Sequence, residues 1–176
     1  MTRLYVLDFD KTLIPYDSWN LFLHAIFRKK TIRVGFFLVL RKIGLINRLE
    51  LKRIVSCYVS KHKQMEVFSE AFAQTLSNDI EFPPYLFENK YEKKVVIMSA
   101  SPMCYLRYLD KYMDCQCEVV GSDFYNGRYI ELYGEQKLNY IKTHYPLNQY
   151  KYAYALSDSY SDMIWMKEFE KYELKQ

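Results

Sequence analysis

The feature of the sequence that most constrains the fold is an apolar run near the start of the chain that ends abruptly on a carboxylate. Residues 4–7 read Leu-Tyr-Val-Leu, and Asp8 follows them directly. A short run without polar alternation is typical of a strand buried on both faces of a parallel sheet. We therefore predict a central strand over residues 4–7, with Asp8 at its carboxyl end.

The same arrangement occurs twice more along the chain. Residues 95–98 are apolar and end on Ser99, and residues 152–156 end on Ser157 and Asp158. Each run precedes a segment with helical spacing, and alternating strands and helices predict a parallel sheet with right-handed crossovers. Such sheets bind ligands beyond the carboxyl ends of their strands. We expect the polar residues at all three strand ends to meet there.

Helical spacing without any strand pattern fills a long stretch after the first strand. We interpret residues 17–82 as an inserted all-helical cap of about four helices, after which Pro83 and Pro84 return the chain to the core. The core is then discontinuous and comprises residues 1–16 and 83–176. The predicted fold class is α/β, a Rossmann-like parallel sheet core flanked by helices, with an inserted all-helical cap.

Two helix starts can be predicted from capping residues. Asp17 or Ser18 is suited to cap the first cap helix, and Ser101 with Pro102 is suited to start the helix after the second strand. The predicted buried side of the first cap helix comprises Trp19, Phe22, Leu23, Ile26 and Phe27.

The last third of the chain gives weaker patterns. A short run at residues 118–120 predicts one more strand, and the compact segment 121–134 argues against a hairpin near the site. The polar stretch 168–175 is predicted to close a helix.

Basic residues are concentrated in the predicted cap. The net charge of the chain is +4, but nine basic residues between positions 28 and 53 face a single acid, Glu50. The rest of the chain has 16 basic and 20 acidic residues and is therefore negative. This distribution predicts that one region faces anions. The nine residues are Arg28, Lys29, Lys30, Arg33, Arg41, Lys42, Arg48, Lys52 and Arg53.

The apolar residues inside this basic segment leave two interpretations open. Residues 34–40 are far fewer than the ~20 needed to cross a bilayer, so no transmembrane helix is predicted. On a helical wheel Phe37 falls between Arg33 and Arg41, a mixture found in helices that lie peripherally on an anionic membrane. The alternative is a cap helix packed on its neighbours with its basic side chains in solvent.

The cysteines and the aromatic residues indicate the cellular location of the protein and the class of its partners. The four cysteines are scattered and no leader precedes Asp8, so we predict a reducing, cytoplasmic location, with a peripheral position at the membrane as the alternative. Cys115 and Cys117 have no second pair at zinc-site spacing. The aromatic residues are not grouped as a base-stacking platform, so no nucleic-acid partner is expected.

Paired carboxylates at the end of the first strand indicate a cation site. Asp8 and Asp10 are two residues apart, so in an extended segment their side chains point the same way. Their mutual repulsion calls for a hard divalent cation, above all Mg²⁺, which would also neutralise a substrate phosphate.

Four segments, in chain order, resemble the motifs of the haloacid dehalogenase-like superfamily. Residues 8–13 read Asp-Phe-Asp-Lys-Thr-Leu and resemble its opening D-x-D-x-[TV] motif, and residues 99–101 resemble motif two. Lys137 resembles motif three, and residues 158–162 resemble the D-x-x-x-D of motif four. The position of the cap between motifs one and two is similar to the phosphoserine-phosphatase-like branch.

The resemblance implies a Mg²⁺-dependent phosphatase that hydrolyses a phosphate monoester. Asp8 would attack phosphorus and form an aspartyl-phosphate. Asp10 would protonate the leaving alcohol and then activate water. A halide would need no proton, so Asp10 favours phosphoryl chemistry over dehalogenation.

The phosphate-binding residues implied by the resemblance are Ser99, Ala100 and Lys137. The Ser99 hydroxyl and the Ala100 amide would bind phosphate oxygens, with help from the following helix N-terminus. Because Ser101 is predicted to cap that helix, Ser99 is left for the phosphate. Lys137 is predicted in the first turn of a helix over residues 135–144, where its charge opposes the helix dipole unless an anion lies nearby.

The implied metal ligands are Asp8, the backbone carbonyl of Asp10, and Asp158. Thr12 and Asp162 would support them, Asp162 through water or Lys137. The expected partner is a small phosphorylated substrate, with a lipid phosphate or a polyanionic precursor among the alternatives.

Two other classes of protein share part of this pattern. A phospho-accepting receiver domain also gathers carboxylates, a hydroxyl and a lysine at strand ends, but it has adjacent acids and lacks a large helical insertion. A catalytically degenerate relative could act as a membrane-surface or scaffold binding module, although no motif residue has been lost here.

Overall fold

The structure, a computed structural model, describes residues 1–28, 32–88, 92–113 and 115–175. Within them six strands form one sheet in the order β4-β3-β2-β1-β5-β6. The pairing of β3 with β4 is antiparallel, and the other pairings are parallel. The strands are Thr2–Asp8 (β1), Lys93–Pro102 (β2), Cys117–Tyr125 (β3), Arg128–Ile130 (β4), Tyr150–Ser157 (β5) and Lys171–Leu174 (β6).

Eight α-helices are present in the same described ranges. No helix there is long and apolar enough to cross a membrane. The helices are Ser18–Arg28 (α1), Ile32–Lys42 (α2), Arg48–Ser60 (α3), Lys63–Ser77 (α4), Tyr85–Glu88 (α5), Met103–Leu106 (α6), Glu135–His144 (α7) and Met163–Met166 (α8).

The predicted fold class is confirmed. Strand β1 lies at the centre, between β2 on one side and β5 on the other, so the strand order reverses at β1. Apolar side chains of these strands are buried on both faces, as the uninterrupted runs predict. The polar residues at the three strand ends therefore lie at one edge of the sheet.

Four helices, α1 to α4, fill the stretch interpreted as the cap, and the cap limits at residues 17 and 82 stay a prediction. The Asn20 N–H donates to Asp17 Oδ1 at 2.9 Å, so Asp17 caps α1. Phe22 packs against Phe72 and Tyr105 in a core between the cap and the sheet. The predicted inward positions of α1 are buried except Phe27, which is 56% exposed.

The last third of the chain differs from two predictions. A hairpin is present, because Asn126 and Gly127 both have positive φ and connect β3 to β4. The stretch predicted to close a helix instead forms β6, which pairs with β5. Polar residues are tolerated in β6 because it lies at the edge of the sheet.

Candidate active site

A cavity of about 320 Å³ opens where the carboxyl ends of β1, β2 and β5 meet. The cap contributes to its wall through α3 and the segment before α1. Most of the lining side chains are charged, with both signs represented. The lining residues are Asp8, Asp10, Lys11, Asp17, Arg48, Lys52, Ala100, Ser101, Glu131, Tyr133, Lys137, Asp158, Ser159 and Asp162.

Lys137 joins two carboxylates at the floor of this cavity. Its Nζ lies 2.6 Å from Asp8 Oδ1 and 2.7 Å from Asp162 Oδ2. All three side chains are buried. Lys137 is on the first turn of α7, as predicted, and these two carboxylates supply the anions that its place in the helix dipole requires.

Burial makes the protonation of this group unusual. Burial raises the pKa of Asp8 to about 7, although the Lys137 ammonium lowers it and Asp162 and Asp10 raise it further. Burial alone would lower the pKa of Lys137, but Asp8 and Asp162 outweigh that effect and the pKa rises. Lys137 therefore stays charged. Full ionisation of Asp8 at neutral pH requires a further positive charge nearby.

Thr12 connects the first and fourth motifs. Its hydroxyl donates to Asp8 Oδ2 at 3.1 Å and accepts from the Asp158 N–H at 3.0 Å. Both Asp8 oxygens are thus held, one by Lys137 and one by Thr12. This fixes the carboxylate at the end of β1 while the face toward the cavity stays open.

Asp10 is turned toward the carboxyl end of β2. Its Oδ2 accepts from the Ser99 hydroxyl at 2.9 Å and from the Ser101 hydroxyl at 2.7 Å. Its Oδ1 accepts from the Ser18 N–H at 2.6 Å, at the start of the cap. Asp10 therefore contacts the core and the cap together.

The prediction that Ser101 caps the helix after β2 is wrong. The residue before α6 is Pro102, which makes no side-chain capping bond, and the Ser101 hydroxyl is committed to Asp10 instead. That helix is a single turn, Met103–Leu106, so its dipole contributes little.

Ser99 is buried and does not line the cavity, whereas Ala100 and Ser101 do. The phosphate-binding role of Ser99 stays a prediction.

Lys52 was missed as a site residue by sequence reasoning. It is buried on α3, and its Nζ donates to the Ala100 carbonyl at 2.8 Å and pairs with the Glu131 carboxylate. Burial lowers the pKa of Lys52, and Glu131 opposes that shift. The available signal was its place next to Leu51 on the buried side of a helix, where a lysine needs a partner.

The Ala100 carbonyl is held from two sides. The Ser122 hydroxyl donates to it at 2.7 Å, in addition to Lys52. The peptide that follows Ala100 is therefore fixed by one donor from the sheet and one from the cap. This orients the end of β2 that faces Asp8.

We expect Lys52→Met to lower the free energy of unfolding by ~1–3 kcal/mol, because Glu131 and the Ala100 carbonyl each lose a buried donor. Chemical denaturation measures the change. The matched control is Arg53→Met, an exposed residue of the same helix, for which we expect no measurable loss. Equal stability of Lys52→Met and the wild type would show that the buried pair contributes nothing.

The residues predicted to hold a metal offer hard oxygen donors. Asp8, Asp10 and Asp158 all line the cavity, and burial raises the pKa of Asp8 and Asp158. Among the described residues no three His, Cys, Asp or Glu side chains are grouped as a metal site. The predicted set is smaller than such a group, because it uses two carboxylates and one backbone carbonyl. Its chemistry suits Mg²⁺.

The fold and the site together define a capped α/β enzyme with buried carboxylates at the strand ends. The sequence model of the family described as haloacid dehalogenase-like hydrolase matches residues 5–167. The chain therefore belongs to this family of hydrolases, and the predicted resemblance to the haloacid dehalogenase-like superfamily is confirmed. The receiver-domain alternative is excluded. No curated protein matches the chain significantly.

Solved structures are similar to this chain at low sequence identity. A protein of unknown function from Bordetella pertussis Tohama I has 14% identity and a TM-score of 0.54, with 93% of this chain and 86% of that chain covered. A phosphoserine phosphatase from T. onnurineus has 14% identity and a TM-score of 0.44, with coverage of 98% and 82%. A phospho-aspartyl intermediate analogue of phosphoserine phosphatase has 12% identity and a TM-score of 0.42, with coverage of 99% and 94%.

Proposed function

We propose that this hydrolase is a phosphatase that cleaves phosphate monoesters through an aspartyl-phosphate on Asp8. The observation that carries the proposal is the setting of Asp8, which faces the cavity while Lys137 and Thr12 hold its two oxygens. A carboxylate so fixed is suited to in-line attack, because little motion is lost on reaching the transition state.

The proposed reaction has two steps, formation of the aspartyl-phosphate and its hydrolysis. In the first, an Asp8 oxygen bonds to phosphorus and the ester P–O bond breaks, while the Asp10 carboxyl gives its proton to the departing alkoxide. In the second, Asp10 takes a proton from water as that water attacks phosphorus, which frees Asp8 and inorganic phosphate. Lys137 and the Ala100 amide contact the phosphate oxygens. Ser99, near the end of β2, holds Asp10 through its hydroxyl, and its contact with the phosphate stays a prediction.

Mg²⁺ is the cofactor we infer for this site. Asp8, Asp158 and the backbone carbonyl of Asp10 would hold it, and Asp162 would support them by fixing Lys137. When bound, Mg²⁺ supplies positive charge that offsets the repulsion between the carboxylates and the substrate phosphate.

The substrate class follows from the lining of the cavity. Arg48 and Lys52 bring positive charge from the cap, while Asp17 and Glu131 lie beside them with negative charge. A small, polar phosphorylated substrate fits this mixture. A lipid or polyanionic precursor phosphate would place its polar head group in the cavity.

The cytoplasmic location stays a prediction from the cysteines.

We expect the purified protein to hydrolyse a chromogenic phosphate ester in the presence of Mg²⁺ and to lose this activity in excess chelator. Added Mg²⁺ should restore the rate and Ca²⁺ should do so poorly, because its larger coordination sphere fits the set less well. A panel of phosphorylated metabolites and lipid head groups then ranks substrates by kcat/KM. Absence of hydrolysis by the Mg²⁺-loaded protein would favour the binding-module alternative.

The Mg²⁺ requirement should depend on pH. Below pH ~7 the ion must displace a proton from Asp8, whose pKa burial raises to about 7, so apparent Mg²⁺ affinity should fall about tenfold per pH unit there. Above pH ~7 the affinity should level off. Calorimetric titration measures this without any substrate, and identical affinity at low and high pH would contradict the proposed role of Asp8 as a ligand.

A further inference from the structure

Helix α2 presents an apolar face to solvent. Phe36, Val39 and Ile43 are 59%, 57% and 63% exposed. They are spaced three and four residues apart and therefore share one side of the helical path. Phe37 and Leu38 instead pack against the core cluster between the cap and the sheet. The aromatic residue offered to solvent is thus Phe36 and not Phe37, and the side chain of Arg33 lies outside the described residues.

A residue of α1 extends this face. A Cβ built on Gly35 would lie 3.3 Å from Cε2 of Phe27, so the half-exposed Phe27 ring covers Gly35, next to Phe36 in sequence. We call Phe27, Phe36, Val39 and Ile43 the α2 apolar face. Large side chains grouped in this way on a surface mark an interaction site more often than scattered single ones do.

Helix α2 ends in a regular, hydrogen-bonded C-terminal motif. Gly44 has φ of +78°, and the Leu45 N–H donates to the Leu40 carbonyl at 2.9 Å while the Gly44 N–H donates to the Arg41 carbonyl at 3.0 Å. This is the hydrogen-bond pattern of a glycine-terminated helix. The exposed apolar side chains therefore belong to a regular helix with a defined end.

The charged residues of the chain segment that carries the α2 apolar face are of one sign. Arg28, Arg41 and Lys42 are exposed beside it, and the sequence has no Asp or Glu between Asp17 and Glu50. Arg48 and Lys52, also counted in the basic segment, contact Asp17 and Glu131 at the cavity instead. The basic residues next to the face are therefore distinct from those of the active site.

We propose that the α2 apolar face docks on the surface of an anionic lipid bilayer. An interfacial helix places aromatic and aliphatic side chains among the lipid head groups and its basic residues against their phosphates, which is the combination found here. A second copy of the chain fits less well, because a symmetric contact through this face would bring two basic segments together.

Co-sedimentation with vesicles tests the proposal. Vesicles of equal parts phosphatidylglycerol and phosphatidylcholine are compared with vesicles of phosphatidylcholine alone, at low and at physiological salt. We expect binding to the anionic vesicles that weakens as salt screens the charges, and negligible binding to the neutral ones. Negligible or equal binding to both compositions would overturn the proposal.

Two double variants separate the apolar and the charged contributions. Phe36→Ser with Ile43→Ser and, separately, Arg41→Gln with Lys42→Gln should each weaken partitioning into anionic vesicles on the order of tenfold or more. The matched controls are Leu147→Ser, an exposed apolar residue of the core, and Lys61→Gln with Lys63→Gln, exposed lysines of the cap. The controls should bind as the wild type does.

The experiment distinguishes docking on a bilayer from two other outcomes, binding of a second copy of the chain to the α2 apolar face and misfolding of a variant. All these residues lie away from the cavity, so hydrolysis of a soluble ester by each variant should match the wild type, and circular dichroism should be unchanged. Loss of vesicle binding by the charge control to the same extent would reduce the effect to net charge and overturn docking through this face. Concentration-dependent dimers that the face variants abolish, without vesicle binding, would assign the face to a second copy.

Discussion

Asp8→Asn should lower turnover of a phosphate ester by on the order of 10⁴-fold or more while the protein stays folded. An amide cannot form the acyl-phosphate and is a poor ligand for Mg²⁺. The fold should persist because the substituted amide retains an oxygen that can accept from Lys137 or Thr12. Steady-state kinetics with a chromogenic ester and a thermal melt of the same preparation measure the two effects.

The control for this variant is Asp110→Asn. Asp110 is an exposed carboxylate outside the cavity, so the change in formal charge is the same and the rate should be that of the wild type. Retention of full activity by Asp8→Asn would rule out the covalent route. A loss of the cooperative melt in Asp8→Asn would instead assign a structural role to the contact with Lys137.

Lys137→Met should be damaging to both stability and activity. Removal of the ammonium leaves Asp8 and Asp162 facing each other without their shared cation, in a buried setting where Asp162 Oδ1 already has no hydrogen-bond partner. Breaking a buried ion pair from one side costs roughly 3–5 kcal/mol. Denaturant unfolding measures the loss, and Lys137→Arg, which keeps the charge, should recover much of the stability but little of the activity.

The stability deficit of Lys137→Met should also depend on pH. The pKa of Asp8, raised to about 7 in the wild type, should rise further without the ammonium. A carboxyl whose folded-state pKa lies above its unfolded-state pKa stabilises the folded protein at low pH. This contribution to the free energy of unfolding is lost as the pH rises through the folded-state pKa. We therefore expect the deficit to be larger at pH 8 than at pH 5.

The comparison for Lys137→Met is Lys142→Met on the same helix. Lys142 is half exposed and pairs with Glu168 at the surface, so its loss should change the free energy of unfolding by less than ~1 kcal/mol. A deficit of similar size in both variants, or one independent of pH, would contradict the account of the buried Asp8–Lys137–Asp162 group.

Local patterns in the sequence were sufficient for the strands that build the site. Uninterrupted apolar runs identify strands buried on both faces, and each of β1, β2 and β5 carries such a run up to its polar end. Asp8, Ser99 and Asp158 were found in this way, because parallel strands bring their carboxyl ends to one edge of the sheet. Asp10 was found from its spacing of two residues from Asp8. Helical spacing likewise predicted the four cap helices.

Features that depend on a distant partner were not predictable in the same way. The fate of the 168–175 stretch was decided by the free edge of β5, which supplies backbone partners that a polar stretch can use as strand β6. The Ser101 hydroxyl suits a helix cap by local rules, yet Asp10, 91 residues earlier, offers it a carboxylate acceptor. A hydrogen bond to a carboxylate is the stronger interaction of the two.

The sequence by itself determined the α/β class, the helical insertion and the carboxylates at the strand ends, because these follow from periodicity and from residue types a few positions apart. Only the tertiary structure decided which charges of the basic segment face inward. Lys52 and Glu131 are 79 residues apart and meet because the cap packs over the end of the sheet. Burial then makes their pairing necessary, since an unpartnered charge inside a protein is too costly to keep.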